Sequence, residues 1–365
     1  MDKTQQELLK LLQCALWDKP CDAISVDVLR DVMKLSQAHT VDGLVAGVFM
    51  DNKVMVEDSL EKEDMLMDLV SKDTLHKRAY VRYSGVVAEL ESLMTRNNIP
   101  YFVFKGTAVA SHYPKPYRRT MGDVDFYVSP QDIKRAIDIL EEAWKVKVED
   151  GESEKHLSFT YKSIPFELHH RVETFGSAKH QLRFDNLISE GVRHTDTYKV
   201  DGGSAQMLPP EEDIIAVFKH MFNHLLVEGV GLRQVVDVAV LLNDYRHVVD
   251  ISVLKERMSR IGYLKAFSAT VTMLGDYLGL PCASYYAAIT DNGHKWGRKI
   301  FNFIMESGNF GRSAYKNKTA SLSRSAETAR HAFRHILTLS PLIPSEVPGI
   351  IWKHTNITIR KHTGK

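Results

Sequence analysis

Between residues 101 and 128 the spacing of apolar residues changes from a period of three to four to a period of two, and this change limits the folds open to the chain. Before it, Leu8, Leu11, Leu12, Ala15 and Leu16, and later Tyr80, Tyr83, Val87, Leu90 and Leu93, recur at helical spacing and read as amphipathic helices. Then Tyr101-Phe102-Val103-Phe104 forms a short apolar run after Pro100 that stops at Gly106, the pattern of a buried strand. Val124, Phe126 and Val128 alternate with Asp123, Asp125 and Tyr127, which sends one apolar row into a core and the polar row to the opposite face.

Ser129-Pro130 predicts a helix start, with Ser129 as cap and Pro130 in the first turn, running to about Trp144. Strands are expected at Leu157 to Tyr161 and Ile164 to His169 around a turn near Lys162-Ser163, and a hairpin over Tyr198 to Leu208 with Asp201-Gly202-Gly203-Ser204 inside it. Pro209-Pro210-Glu211-Glu212 opens a helical region that continues to about Leu280. The expected fold class is therefore α+β: a mixed sheet core with flanking helical segments. The boundaries are an N-terminal helical segment over 1–97, a core over 98–208, a helical domain over 209–300 and a basic helical tail over 301–365. At 365 residues the chain is long enough for such a division, because single cores rarely grow past ~250–300 residues.

Composition excludes little beyond disorder, with 44% hydrophobic and 25% charged residues. The net charge of +1 hides an asymmetry: residues 308–365 carry ten Lys and Arg against only Glu327 and Glu346. Such a stretch can make weak contacts with an anionic partner, or can be a solvated helix face. Cys14, Cys21 and Cys282 contain no C-x-x-C pair, so neither a disulfide framework nor a cysteine zinc site is implied. The opening residues lack the pattern of a signal peptide and no stretch approaches the ~18 apolar residues of a transmembrane segment, which reads as a cytoplasmic protein.

The chemistry concentrates in Phe104-Lys105-Gly106-Thr107 and Gly122-Asp123-Val124-Asp125. Two carboxylates at i and i+2 of a strand project from one face, and a third is expected from Glu167, in the apolar, acidic, apolar setting of Phe166-Glu167-Leu168, where His169 shares its face. Clustered carboxylates suit Mg²⁺ or Mn²⁺ completed by substrate phosphates, and paired cations can hold both oxygens of an in-line displacement at phosphorus. Gly106 and Thr107 stand where a strand gives way to a helix, and their backbone amides and the Thr107 hydroxyl are candidates to cradle phosphate, with Lys105 and Arg119 as cationic candidates. His220 and His224 share a helix face without a third ligand spaced to complete a metal site, which favours a packed or substrate-facing role. Asp237, in an apolar run, needs a partner, and Arg233 one turn earlier is the expected one.

Gly106-Thr107, then Gly122-Asp123-Val124-Asp125, then a strand acid resembles the signature of the DNA polymerase β-type nucleotidyltransferase superfamily. More narrowly, Lys105-Gly106, Tyr113-Pro114, Arg119, Met121 to Asp125 and Glu167-Leu168-His169 are similar to an uncharacterised bacterial nucleotidyltransferase family found near surface-polysaccharide genes. The likeness continues through Arg233 and Asp237-Val238-Ala239. The resemblance implies a metal-dependent enzyme that takes ATP or another nucleoside triphosphate, with Asp123, Asp125 and Glu167 as catalytic and metal-binding residues and Lys105, Gly106, Thr107 and Arg119 around the nucleotide. The acceptor stays open, a small molecule or protein being favoured over RNA. The alternative is a non-catalytic nucleotide-binding or scaffold protein of a surface-polysaccharide system.

Overall fold

The structure is a computed structural model that describes residues 1–149, 153–288, 293–308 and 321–353. Four helices come first: α1 (Lys3–Trp17), α2 (Val26–Ala38), α3 (Asp42–Met50) and the long α4 (Lys62–Arg96). The middle of the chain supplies β1 (Tyr101–Phe104), α5 (Gly106–Ala110), β2 (Val124–Val128), α6 (Ile133–Trp144), β3 (His156–Tyr161), β4 (Ile164–His169), α7 (Ala178–Gly191), β5 (Asp196–Val200) and β6 (Gly203–Met207). Helices α8 (Pro210–Val227), α9 (Leu232–Asp244), α10 (Ile251–Arg260), α11 (Leu264–Leu278), α12 (His294–Ser307) and α13 (Ser321–Leu339) follow. The fold is α+β, as the alternation of patterns predicts.

The main sheet has the order β1-β2-β4-β3, with β1 antiparallel to β2, β2 parallel to β4, and β3 antiparallel to β4. The β3–β4 turn falls at Lys162-Ser163, both with positive φ (48° and 59°), the backbone that a tight hairpin needs. On one face Phe126, Phe159 and Phe166 pack together, Phe159 stacking on Phe166 at 5.0 Å, and Trp144 from α6 lies flat on Tyr161 at 4.1 Å. The other face carries Phe102, Phe104, Asp125, Tyr127, Glu167 and His169, whose register brings Phe104, Asp125 and Glu167 into one row. All of β2 is buried, so this second face is covered as well. Strands β5 and β6 form the expected hairpin, and it stands as a two-stranded sheet separate from the main one.

One helix start differs from the sequence reading. Helix α6 begins at Ile133, with Asp132 at its cap, rather than at Pro130. Ser129 is held in the preceding turn by a hydrogen bond from its Oγ to the Asp132 carboxylate at 2.9 Å, which uses the hydroxyl that would have capped the helix. Among the described residues no helix is long and apolar enough to cross a membrane. Residues 309–320 and 354–365, which hold much of the basic C-terminal stretch, lie outside the described residues. Of its described members, Arg334 faces Glu306 and Lys353 faces Glu154.

Candidate active site

At the end of the sheet where β2 begins, a cleft of about 400 Å³ opens between the polar sheet face and the helices α8 and α9. Asp123, Asp125 and Glu167 form one wall. Asp125 and Glu167 are cross-strand partners in the parallel β2–β4 pair, and Asp123 precedes Asp125 by two residues on the same face. One carboxylate oxygen from each lies within 4.8 Å of the others. Three oxygen donors at that separation form a set that fits a hard divalent cation.

The acids are not equivalent. Asp125 is 2% exposed, and burial opposes its ionisation, but Lys105 Nζ at 2.6 Å and His169 Nε2 at 3.0 Å outweigh that and hold its carboxyl well below the usual range. Asp123 is pushed the other way, first by the charge of Asp125 and then by burial. Lys105 itself is raised: burial opposes its charge, and the charges of Asp125, Asp123 and Glu167 overcome it. It reaches Asp125 because its backbone turns sharply at the end of β1, with φ of 60°, followed by Gly106 at φ of 41°. A side chain at Gly106 would stand 3.3 Å from the Asp123 carbonyl oxygen, so this glycine lets the β1–α5 turn pass close to the strand that bears the acids.

The opposite wall is cationic and imidazole-rich, drawn from Lys155, His220, His224 and Arg233, while His156 lies on the carboxylate wall, its Nδ1 3.3 Å from Glu167 Oε2. Behind it Glu173, 1% exposed, accepts from Lys155 Nζ at 3.3 Å, pairs with His220 Nδ1 at 2.8 Å, and accepts from Asn223 Nδ2 at 2.6 Å. Burial works against the Glu173 charge, yet Lys155 and His220 keep its carboxyl far below the usual range. Next to His220 on α8, Lys219 is fully buried between Phe175 and Tyr263, and burial pulls it down to about 7.

Residues 29–279 match a protein-family model described as "Uncharacterised nucleotidyltransferase". The chain belongs to this nucleotidyltransferase family. Among solved structures it is similar to the antibiotic-resistance factor ANT(2'')-Ia, at 9% identity over 54% of this chain and 97% of that chain, with a TM-score of 0.36. It is also similar to an antigenic nucleotidyltransferase-like protein from Paracoccidioides brasiliensis, at 12% identity over 54% of this chain and 92% of that one, with a TM-score of 0.35. No curated protein matches the chain.

In this nucleotidyltransferase, Lys105, Gly106, Arg119, Asp123, Asp125 and Glu167 all border the cleft. Thr107 does not. Its hydroxyl is 2.7 Å from the Tyr198 hydroxyl and the residue is 3% exposed, so the Thr107 side chain joins α5 to β5 instead of facing a phosphate. Arg119 touches the cleft, but its guanidinium is committed elsewhere: Nε and Nη2 each donate to Asp237, at 2.8 Å, and Nη1 donates to the Thr120 carbonyl at 3.4 Å. Tyr113 donates to the same Asp237 carboxylate at 2.6 Å. Arg119, not the helical neighbour Arg233, is therefore the counter-ion of Asp237.

Arg233 Nη1 instead donates to the Thr120 carbonyl at 3.1 Å, its Nε is among the described buried polar atoms without a hydrogen-bond partner, and burial together with Arg119 lowers its affinity for a proton. The nucleotidyltransferase thus presents Arg233, which sequence spacing assigned to Asp237, as a cleft-lining cation. Lys155, His156 and Glu173 also escape a reading of the sequence. The alternation of His156 and Ser158 in β3 was the only local signal for one of them, and it names no partner.

Proposed function

We propose that this nucleotidyltransferase moves a nucleotidyl group from a nucleoside triphosphate to an acceptor hydroxyl or phosphate, with divalent cations held by Asp123, Asp125 and Glu167, of which Glu167 reaches only the one on the acceptor side. The observation that carries the reading is the cluster of three carboxylates within 4.8 Å on the rim of a cleft whose far wall is cationic. At about 400 Å³ the cleft falls in the ~300–1,000 Å³ range of small-molecule sites. Mg²⁺ or Mn²⁺, when bound, neutralises phosphate charge and lowers the pKa of an acceptor oxygen.

The chain's own residues supply the rest. Lys105 keeps Asp125 ionised, so that a cation meets a charged ligand instead of a protonated one. Arg233 and Lys155 stand to receive phosphate charge from the opposite wall, and the first backbone amides of α5 lack partners within the helix. Glu167, partly exposed where Asp125 is buried, is the carboxylate best placed to take a proton from an acceptor entering from solvent.

The test is a thermal-shift series with each of the four nucleoside triphosphates, with Mg²⁺ and with excess chelator. One or more triphosphates should raise Tm only when the cation is present, because the carboxylates repel a bare polyphosphate. An equal shift in chelator would sink the proposal.

A further inference from the structure

The polar sheet face carries a second set of donors beside the three carboxylates. His156 and His169 are direct cross-strand partners on β3 and β4, and Glu167 lies two residues before His169 on the same face. Glu167 Oε2 is 3.3 Å from His156 Nδ1 and 3.2 Å from His169 Nε2, and one donor atom from each of the three residues lies within 4.8 Å of the others.

The hydrogen bonding of His169 fixes which nitrogen faces that point. Its Nδ1 is 3.2 Å from the Arg171 carbonyl oxygen, which can only accept, so Nδ1 carries a hydrogen and Nε2 is the atom turned toward Glu167 and Asp125. Metal-ligating histidines commonly donate the N–H of the ring nitrogen turned away from the metal to a backbone carbonyl, as Nδ1 does here. His169 is 1% exposed, whereas His156 and Glu167 border the cleft, so the set is closed on the core side and open on the other.

We infer that His156, His169 and Glu167 form a binding site for a transition-metal cation of the Zn²⁺ class, with its remaining position facing the cleft. Two imidazoles and one carboxylate with an open position are a donor set that Zn²⁺ takes. Imidazole nitrogen also discriminates against Mg²⁺, which prefers the all-oxygen set of Asp123, Asp125 and Glu167. The two sets share Glu167. The inference concerns metal binding without nucleotide and does not rest on the transfer reaction.

Co²⁺ is the probe, since nitrogen-ligated Co²⁺ in a low-coordinate site absorbs in the visible. The full-length protein, stripped with chelator and dialysed, should develop that band on addition of Co²⁺, and lose it to excess Zn²⁺ but not to a hundred-fold excess of Mg²⁺. His156→Ala, at a partly exposed edge-strand position, should weaken Co²⁺ binding by at least the ~10–100-fold that loss of an outer-shell partner costs. Asp123→Asn should leave the band in place. His156→Cys should restore binding and add a near-ultraviolet sulfur-to-cobalt charge-transfer band, which puts residue 156 in the coordination sphere. Absence of any visible band in the wild-type protein would overturn the inference and leave His169 as a ring hydrogen-bonded between two carboxylates. A band indifferent to His156→Ala and lost in Asp123→Asn would also overturn it, because the cation would then occupy the carboxylate set. The triphosphate thermal shift is measured with Mg²⁺ alone, so failure of either idea is read separately.

Discussion

Arg119→Met is expected to destabilise the protein strongly, and to do so through Asp237 and not through a lost ligand. The two side chains are 5% and 4% exposed and share two parallel hydrogen bonds of 2.8 Å. Charges at about 4 Å attract by roughly 4 kcal/mol at an effective dielectric near 20, which offsets a desolvation cost of several kcal/mol per ion. The intact pair is thus near balance, but removing the guanidinium leaves Asp237 buried with only the Tyr113 hydroxyl at 2.6 Å and the more distant charge of Arg233. Breaking a buried pair in this way costs about 3–5 kcal/mol, a large share of the ~5–15 kcal/mol that holds a folded chain together. Asp237→Leu should cost a similar amount by stranding Arg119. The double variant replaces both charges with apolar groups and leaves only the Tyr113 hydroxyl without its acceptor, a loss of ~1–3 kcal/mol. Denaturant unfolding of the four proteins, followed by tryptophan fluorescence and circular dichroism, should therefore give a double variant more stable than either single one. If Arg119→Met unfolds within ~0.5 kcal/mol of wild type, or if the two losses simply add, the pairing argument is wrong and the arginine is free to serve phosphate.

Gly106→Val should abolish the Mg²⁺-dependent triphosphate shift and cost about 1–3 kcal/mol, since φ of 41° strains a β-branched residue and its Cβ would crowd the Asp123 carbonyl at 3.3 Å; an unchanged titration would put the phosphate site elsewhere. Glu167→Gln should keep Mg²⁺-nucleotide affinity while transfer falls by roughly 10²–10⁴-fold, whereas Asp123→Asn and Asp125→Asn should lose both; equal losses of affinity in all three would refute the division of roles. Lys219 supplies a pH test of stability. Its folded pKa of about 7 lies below the unfolded value near 10.5, so between those values the unfolded chain holds the extra proton and stability rises with pH, while below about 7 the full penalty, of order 5 kcal/mol at most, is in force. Lys219→Met should flatten the rise in Tm between pH 7 and pH 9, and a slope as steep as wild type would assign it to other groups.

Local signals carried the elements well and the contacts badly. The apolar run at 101–104, the alternation around Asp125 and the hairpin at Lys162-Ser163 each depend on neighbours within a few residues, so period and turn chemistry alone locate β1, β2, β3 and β4. The α6 start slipped by three residues because the Ser129 hydroxyl had a competing acceptor in Asp132, and a capping preference cannot say which bond a hydroxyl makes. Helical spacing likewise favoured Arg233 for Asp237, four residues apart, over Arg119, 118 residues away. The i,i+4 rule describes exposed helix surfaces, where nothing from outside the helix competes. In a buried site the guanidinium that arrives with two aligned donors wins.

The same limit explains which part of the site was legible. The acids lie on strands whose alternation puts them on a common face, so their identities could be named from sequence, but that they meet follows from the parallel β2–β4 register, which pairs Asp125 with Glu167. A shift of one residue would have turned Glu167 into the aromatic layer and brought Phe166 or Leu168 into its place. The opposite wall has no comparable repeat. Lys155 enters just before β3, His220 from the middle of α8 and Arg233 from the first turn of α9, three elements that share no motif. What joins them is charge: a buried Glu173 holds Lys155 and His220 against the sheet, and Asp237 retains Arg119 behind Arg233. Each buried carboxylate behind that wall thus engages cations within the protein, while the three in front of it share one lysine, Lys105, and the imidazoles of His156 and His169. That imbalance, on the wall facing the cations, is the physical reason to expect both a metal ion and a polyanion in the same cleft.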